Sequence, residues 1–314
     1  MKPATIPAAV VGMGLMGTSI VACLLAAGHP VTGITGSASK LASTRKRLSN
    51  LLAEMKKEGL FRGDPARALA RFTISTDYAA LASAGIVVES IIEDLDAKRK
   101  VLAAIEEHAP ADAVIGTNTS AIPVSILQKQ TRKPARILGL HWAEPAHITR
   151  FLEIVYGDRT APRFALRVRA MADAWGKEPT VVKRDIRGFV ANRIMYAMIR
   201  EAFHLVESGA ASIEDVDRSV RNDIGCWATL AGPFRWMDLT GIPAYAAVMR
   251  DLNPELSNAA EVPELMRKVV EAGGEGIANA KGFYKYTPAE AKRWEKKFHS
   301  FSYDIRALAE KYRR

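Results

Sequence analysis

The chain has two cysteines in 314 residues, Cys23 and Cys226. They lie far apart and follow no metal-binding or redox spacing, so both read as small core residues of a protein in a reducing cytoplasm, and no metal site is expected. Long hydrophobic runs are missing too. No uncharged apolar run reaches the roughly 18 residues a membrane span requires, because the longest apolar stretch, from Ala8 through Leu25, is broken by glycines. The opening residues Met1 to Thr5 lack a positively charged segment leading into an unbroken apolar core, so no secretory signal is expected. Internal repeats and low-complexity segments are absent as well.

Acidic residues are in deficit, with Lys and Arg numbering 44 against 34 Asp and Glu, a net charge of +10. Such an excess fits a nucleic acid, a membrane surface or an anionic small molecule. Its location helps to choose. Between Lys40 and Arg71 stand nine basic residues (Lys40, Arg45, Lys46, Arg47, Lys56, Lys57, Arg62, Arg67, Arg71) and three acidic ones (Glu54, Glu58, Asp64), which accounts for +6 of the total. That pattern reads as a solvated helical face or a contact for a small anion, with no nucleic-acid or membrane partner.

What is present describes a globular enzyme-sized chain. Apolar residues make up 48% and charged residues 25% of a length that favours two domains. Ala8–Val11 is a short apolar run that flows into Gly12-Met13-Gly14-Leu15-Met16-Gly17 and a helical stretch ending at Gly28. Further strands are predicted at Val31–Ile34, Phe72–Ile74, Gly85–Glu89, Ala113–Gly116 and Ile137–Leu140, with late strands at Phe151–Val155 and Thr180–Val182. Helical patterns separate them at Leu41–Leu60, Asp64–Ala70, Tyr78–Ser83 and Leu95–His108. This alternation predicts an α/β fold, a Rossmann-type doubly wound and mostly parallel sheet. After residue 186 strand-like runs cease and helical periodicity takes over, which predicts domains at 1–186 and 187–314, the second all-helical. Ser212-Ile213-Glu214-Asp215 and Thr287-Pro288-Ala289-Glu290 have the pattern of helix-starting capping boxes.

The glycine turn has a mechanical reading. The first glycine permits the tight turn, the second lets a pyrophosphate approach the backbone, and the third allows helix and strand to pack closely. The N–H groups of the following helix then face the anion. Gly12, Gly14, Leu15, Met16 and Gly17 are therefore the expected dinucleotide contacts. The carboxylate that usually ends the second strand and takes the ribose hydroxyls is missing, and Thr35 stands in its place. Its absence removes the repulsion that excludes a 2'-phosphate, so the choice between NAD and NADP stays open.

Polar residues in apolar settings mark the chemistry. They fall in Thr117-Asn118-Thr119-Ser120, His141-Trp142-Ala143-Glu144-Pro145 and Phe151-Leu152-Glu153. A histidine following a strand of such a sheet can exchange a proton with a substrate hydroxyl, and Glu153 is a candidate carboxylate to hold its ring.

These residues, in this order, resemble the L-3-hydroxyacyl-CoA dehydrogenases and their short-substrate relatives such as the L-gulonate and carnitine dehydrogenases. The similarity runs through the glycine turn, Val88–Leu95 with Lys98, Asn118-Thr119-Ser120, Gly139-Leu140-His141 with Pro145 and Glu153, Gly188–Arg193, Ala231–Phe234 and Gly282-Phe283-Tyr284. It implies reversible hydride transfer between C3 of a 3-hydroxy compound and a nicotinamide, with His141 as general acid or base and Glu153 as its orienting partner. Ser120 and Asn192 would hold the substrate oxygen, while Glu93 and Lys98, with Asn118, would sit by the cofactor. Three departures stand on the cofactor side of that pattern: Thr35, Glu144 where the family has asparagine, and Ile277-Ala278 where it has paired lysines.

In the acyl-CoA enzymes a basic helical arm meets the CoA phosphates, and Lys56 or Lys57 falls near the corresponding position. An acyl-CoA substrate is therefore expected. The 28 residues beyond Tyr286 instead resemble the gulonate and carnitine branch, which keeps a free 3-hydroxy acid as the alternative. A non-catalytic dinucleotide-binding module is the remaining alternative. The resemblance also implies a homodimer through the helical domain, with apolar runs such as Ile194–Ile199 and Trp227–Leu230 suited to the interface.

Overall fold

Short runs of Val, Ile and Ala with no room for polar alternation become strands buried on both faces. They are β1 (Ala8–Val11), β2 (Val31–Ile34), β3 (Phe72–Ser75), β4 (Ile86–Glu89), β5 (Val114–Thr117), β6 (Ile137–Trp142), β7 (Leu152–Val155) and β8 (Thr180–Val182). The computed structural model describes residues 5–312, so the opening Met1–Ala4, on which part of the reading about a secretory signal rests, lies outside the described residues. One sheet forms in the order β3-β2-β1-β4-β5-β6-β7-β8. Every neighbouring pair is parallel except β6 and β7, which are antiparallel.

Helices α1 (Leu15–Ala26), α2 (Leu41–Lys57), α3 (Pro65–Leu69), α4 (Leu95–His108), α5 (Val124–Gln128) and α6 (Pro162–Ala172) connect the strands. Alternate strand residues feed two separate cores, as the pleat requires. Val10, Val88 and Leu140 join α1, α2 and α6 in one, and Val11, Val87 and Ile137 join Leu102 and Ile105 of α4 in the other. Strand order reverses between β1 and β4, and the crevice outside the carboxyl ends of such strands is where this class of sheet takes ligands.

Compact units divide between Asn192 and Arg193. The second unit is helical: α7 (Ala191–Glu207) enters it, followed by α8 (Ile213–Asn222), α9 (Ile224–Ala228), α10 (Pro233–Thr240), α11 (Ile242–Leu252), α12 (Glu264–Glu271) and α13 (Pro288–Lys311). Thr287 and Glu290 form the full reciprocal capping box at α13. At α8, Ser212 Oγ accepts the Asp215 N–H, and its hydroxyl donates to the Asp215 carboxylate.

Several local readings are corrected. His141 and Trp142 lie inside β6, since the antiparallel β7 extends the ladder beyond Leu140. The helix expected over Tyr78–Ser83 is a short 3-10 turn, Tyr78–Leu81, capped by Asp77. Helix α2 stops at Lys57, ahead of Gly59 at φ +75°. Cys23 is buried, but Cys226 is exposed, because the short helix α9 that carries it has no buried residue. No helix among the described residues is long and apolar enough to cross a membrane.

Candidate active site at the carboxyl edge of the sheet

The glycine turn leaves the end of β1, and each glycine answers a different constraint. Gly12 has φ +101°, and a Cβ there would collide with the Ser90 carbonyl at the end of β4. At Gly17 a Cβ would run into the Gly12 carbonyl, so α1 is seated directly on the turn. Gly14 differs, because a Cβ there meets nothing within 4 Å. It is the N-cap of α1 and offers no side chain to cap it, so the first N–H groups of the helix open onto a surface without a carboxylate in the first turn. That cradle suits a pyrophosphate, which resides where helix N–H groups and dipole converge. Leu15 is exposed beside it and Met16 half-buried.

Thr35 is buried at the end of β2, with its N–H donating to the Ser75 carbonyl. Three arginines of the basic stretch are engaged within the protein. Arg45 donates to the Phe72 carbonyl, and Arg71 to that of Leu25. Arg47 reaches back to the glycine turn, donating to the Met13 carbonyl at 2.8 Å and to Thr18 Oγ1 at 2.7 Å. Lys40 and Lys56 are exposed, and Lys57, with a side chain 82% exposed, pairs with Glu58 at 3.3 Å.

Beneath the turn lies a buried ionic cluster. Glu89, which closes β4 beside Val11, accepts hydrogen bonds from Lys98 Nζ at 2.8 Å, the Ile91 N–H at 2.8 Å and Thr117 Oγ1 at 2.6 Å. Lys98 is fully buried and also pairs with Glu93 at 3.4 Å. Asp94 caps α4 and so holds Lys98 in its first turn. Glu93 accepts from Thr119 Oγ1 and from the N–H groups of Ser120, Ala121 and Ile122. Burial pushes the Glu93 pKa up, but the Thr119 and Ala121 hydrogen bonds and the Lys98 charge outweigh it and hold the carboxyl below its ordinary range. Lys98 is thus held below the surface between two carboxylates. Glu89, which the motif contained without an assigned role, is the residue that keeps Lys98 in place.

At the other side of the cleft, the antiparallel register sets His141 directly opposite Glu153. Their side chains meet at 2.8 Å, Glu153 Oε2 against His141 Nδ1, and both residues are buried. Glu153 Oε1 accepts the N–H groups of Val190 at 3.1 Å and Ala191 at 2.9 Å. Burial raises the Glu153 pKa, while the His141 hydrogen bond and those two N–H groups lower it, and the net shift is downward. The Phe151 ring stands edge-on to His141 at 5.3 Å and Phe189 lies at 5.7 Å, so aromatic walls fix the imidazole plane. With Nδ1 engaged, Nε2 is the nitrogen left to exchange a proton.

The remaining residues converge on the same edge. Asn118 Oδ1 accepts the Trp142 N–H at 2.9 Å and its Nδ2 donates to Ser90 Oγ at 3.2 Å, which ties the β4, β5 and β6 ends together. Asn192 Nδ2 donates to the Ser120 carbonyl at 3.2 Å. Glu144 is exposed on the loop after β6, and partial desolvation of its carboxyl raises its pKa. No group of three or more His, Cys, Asp or Glu side chains placed to hold a metal ion occurs among the described residues.

Two family models match the chain: 3-hydroxyacyl-CoA dehydrogenase, NAD binding domain, over residues 7–186, and 3-hydroxyacyl-CoA dehydrogenase, C-terminal domain, over residues 188–286. The chain belongs to the 3-hydroxyacyl-CoA dehydrogenase family. It is a dehydrogenase acting on a CH–OH group with an NAD(P) cofactor. A Mesorhizobium japonicum relative, 5-formyl-3-hydroxy-2-methylpyridine 4-carboxylate 5-dehydrogenase, is 32% identical over 285 residues, 90% of this chain and 92% of that one. A crystal structure of such a 5-dehydrogenase, described as an NAD+ dependent dismutase, superposes with a TM-score of 0.90 at 30% identity, covering 98% of this chain and 99% of that one. The structure of (S)-3-hydroxybutyryl-CoA dehydrogenase from Ralstonia eutropha gives 0.74 at 30% identity, covering 90% of this chain and all of that one, 100%.

Proposed function

We propose that this dehydrogenase oxidises the CH–OH carbon of a small, free, carboxylate-bearing substrate, reversibly, with NAD as cofactor and His141 as general acid or base. The His141–Glu153 dyad carries the chemical part of this reading. A dinucleotide held by its pyrophosphate at Gly12, Gly14 and Gly17 would supply the hydride acceptor, its nicotinamide ring. His141 Nε2 takes the substrate hydroxyl proton, and Glu153, held ionised by two backbone N–H groups, stabilises the imidazolium and keeps the ring turned towards the cleft. Ser120 and Asn192 hold the substrate oxygen, and Asn118 and Glu93 keep the Ser120 segment against the β6 end.

The substrate class rests on the degree of structural likeness: the 5-dehydrogenase structure gives a TM-score of 0.90 over 98% of the chain, against 0.74 over 90% for the Ralstonia eutropha 3-hydroxybutyryl-CoA dehydrogenase. NAD is favoured over NADP because Arg45 and Arg47, the arginines closest in sequence to the end of β2, are committed to backbone carbonyls. An acyl-CoA substrate is the second reading, supported by the exposed Lys56 and Lys57 at the end of α2. Absorbance at 340 nm decides, using free 3-hydroxy acids and formyl- or hydroxymethyl-pyridine carboxylates against 3-hydroxybutyryl-CoA, each with NAD+ and NADP+. Turnover of the free acids with NAD+ is expected, and turnover confined to the CoA ester would contradict the substrate assignment.

The helical unit also favours a homodimer. From Arg193 onward, among the described residues, only Ala231, Ala291, Ser302 and Tyr303 are buried, while Ile194, Tyr196, Leu230 and Phe234 stand open. Apolar surface on that scale belongs to a covered interface. The two free cysteines accord with a reducing cytoplasm.

A further inference from the structure

The dyad is not the only histidine held by a carboxylate and a buried neighbour. His147 lies in the loop that leaves β6, six residues after His141, and it is 9% exposed. Ser19, in the second turn of α1 and itself buried, accepts the His147 backbone N–H at 2.9 Å and hydrogen-bonds the ring Nδ1 at 2.8 Å. On the other side of the ring, Nε2 stands 3.6 Å from Glu54 Oε1 in the last turns of α2. The same loop is gripped twice more: Cys23 Sγ of α1 donates to the Ala146 carbonyl, and the buried Lys177 donates to the carbonyls of Ala146 and Thr149. Lys177 in turn lies over the Trp142 ring at 5.0 Å, next to His141 in β6. Ala146 and His147 are thereby fixed to the helix whose N-terminus forms the pyrophosphate cradle.

The two halves of the active site sit on different elements. The cofactor end is set by α1 and its glycine turn, and the proton-exchanging end by β6. Strands β4 and β5 separate β1 from β6 in the sheet, so nothing in the ladder sets α1 directly against β6. The loop carrying His147 is the direct bridge. We propose that His147 is a positioning residue that locks the β6 loop to α1 and α2, and so fixes the distance between the bound nicotinamide and the His141 imidazole. Hydride transfer is sensitive to that distance, since about 1 Å of misplacement can cost on the order of 100-fold in rate. The proposal rests on the dehydrogenase reading for its kinetic part, but dinucleotide binding tests it independently of turnover.

Four variants of the full-length chain provide the test: Ser19→Ala, His147→Asn, His147→Phe and Glu54→Gln. Each is measured for NADH affinity by nucleotide fluorescence, for kcat and KM, and for the deuterium isotope effect on hydride transfer, all normalised to the folded fraction. His147→Phe and Ser19→Ala are expected to weaken NADH binding about 10-fold, to lower kcat by about 10- to 100-fold, and to raise the isotope effect as the chemical step becomes slower. His147→Asn, which keeps a polar group at the level of Nδ1 facing Ser19, is expected to restore most of both, and Glu54→Gln to lie between. Ser19→Ala keeps the packing and guards against a Phe variant that fails to fold. The proposal is overturned if the variants lower the melting temperature yet leave NADH affinity, kcat and isotope effect at wild-type values. It is equally overturned if Asn rescues nothing. Should wild type turn over no substrate, the dehydrogenase reading fails while the NADH arm still decides the role of His147.

Discussion

His141 owes its partner to strand register, because an antiparallel β7 sets Glu153 straight across from it, and a slip of β7 by one residue would turn Glu153 to the face away from His141. Glu153 is itself held by the Val190 and Ala191 N–H groups, so it remains charged where an ordinary carboxylate protonates. Replacing Glu153 with Gln keeps the shape but loses the charge that stabilises the imidazolium. Steady-state kinetics should show kcat/KM falling by on the order of 100- to 10,000-fold. The stability consequence has a sign. The folded pKa of Glu153 is depressed, so its contribution is complete above the unfolded glutamate value of about 4.3 and is lost as pH falls through the folded value. Acid titration monitored by circular dichroism should therefore show a shallower loss of stability in Glu153→Gln than in wild type.

Among the elements, the β1–turn–α1 unit separates packing from binding within one motif. Gly12 and Gly17 are required by backbone contacts inside the protein, whereas Gly14 faces open space. Gly14→Ala should fold with a melting temperature within a few degrees of wild type yet bind NADH at least about 10-fold more weakly, because its methyl group enters the space a pyrophosphate takes. Gly12→Ala should instead lose stability, as it combines φ +101° with a collision at Ser90. Thermal melts with fluorescence titration distinguish the two. The strand–turn–helix path of this unit was legible in the sequence, since an apolar run, three spaced glycines and a helical stretch follow one another directly. The end of β6 was not: β-branched and apolar content stops at Leu140, and only pairing with β7 carries the strand through His141 and Trp142. Likewise Glu89 reads as the polar end of a strand until Lys98, one helical turn into α4, is seen to fold back onto it. The basic run on α2 was visible as charge, but where Arg45 and Arg47 point depends on packing that spacing does not encode.

For the whole molecule, the distribution of buried residues is uneven. The sheet unit contains both apolar cores, and the residues from Arg193 onward contribute four buried side chains among those described. In the proposed homodimer a second copy would cover this segment and offset its conformational entropy. Light scattering coupled to size exclusion should give a mass near 68 kDa, about twice the 34.2 kDa chain, and a monomer at micromolar concentration would count against the dimer. Family membership was readable from ordered motifs along the chain, whereas the substrate was not, because those motifs carry the chemistry at the CH–OH carbon that acyl-CoA and free-acid enzymes of this resemblance share.

Proton exchange at His141 is the step on which the proposed chemistry depends. Single-turnover reduction of NAD+ at 340 nm, with the best free-acid substrate and with wild type and His141→Asn side by side, tests it. The prediction is that His141→Asn binds NADH as wild type does but loses on the order of 100- to 10,000-fold in the hydride-transfer rate, with partial recovery as pH rises and hydroxide takes the proton. An His141→Asn enzyme that turns over at the wild-type rate would contradict it.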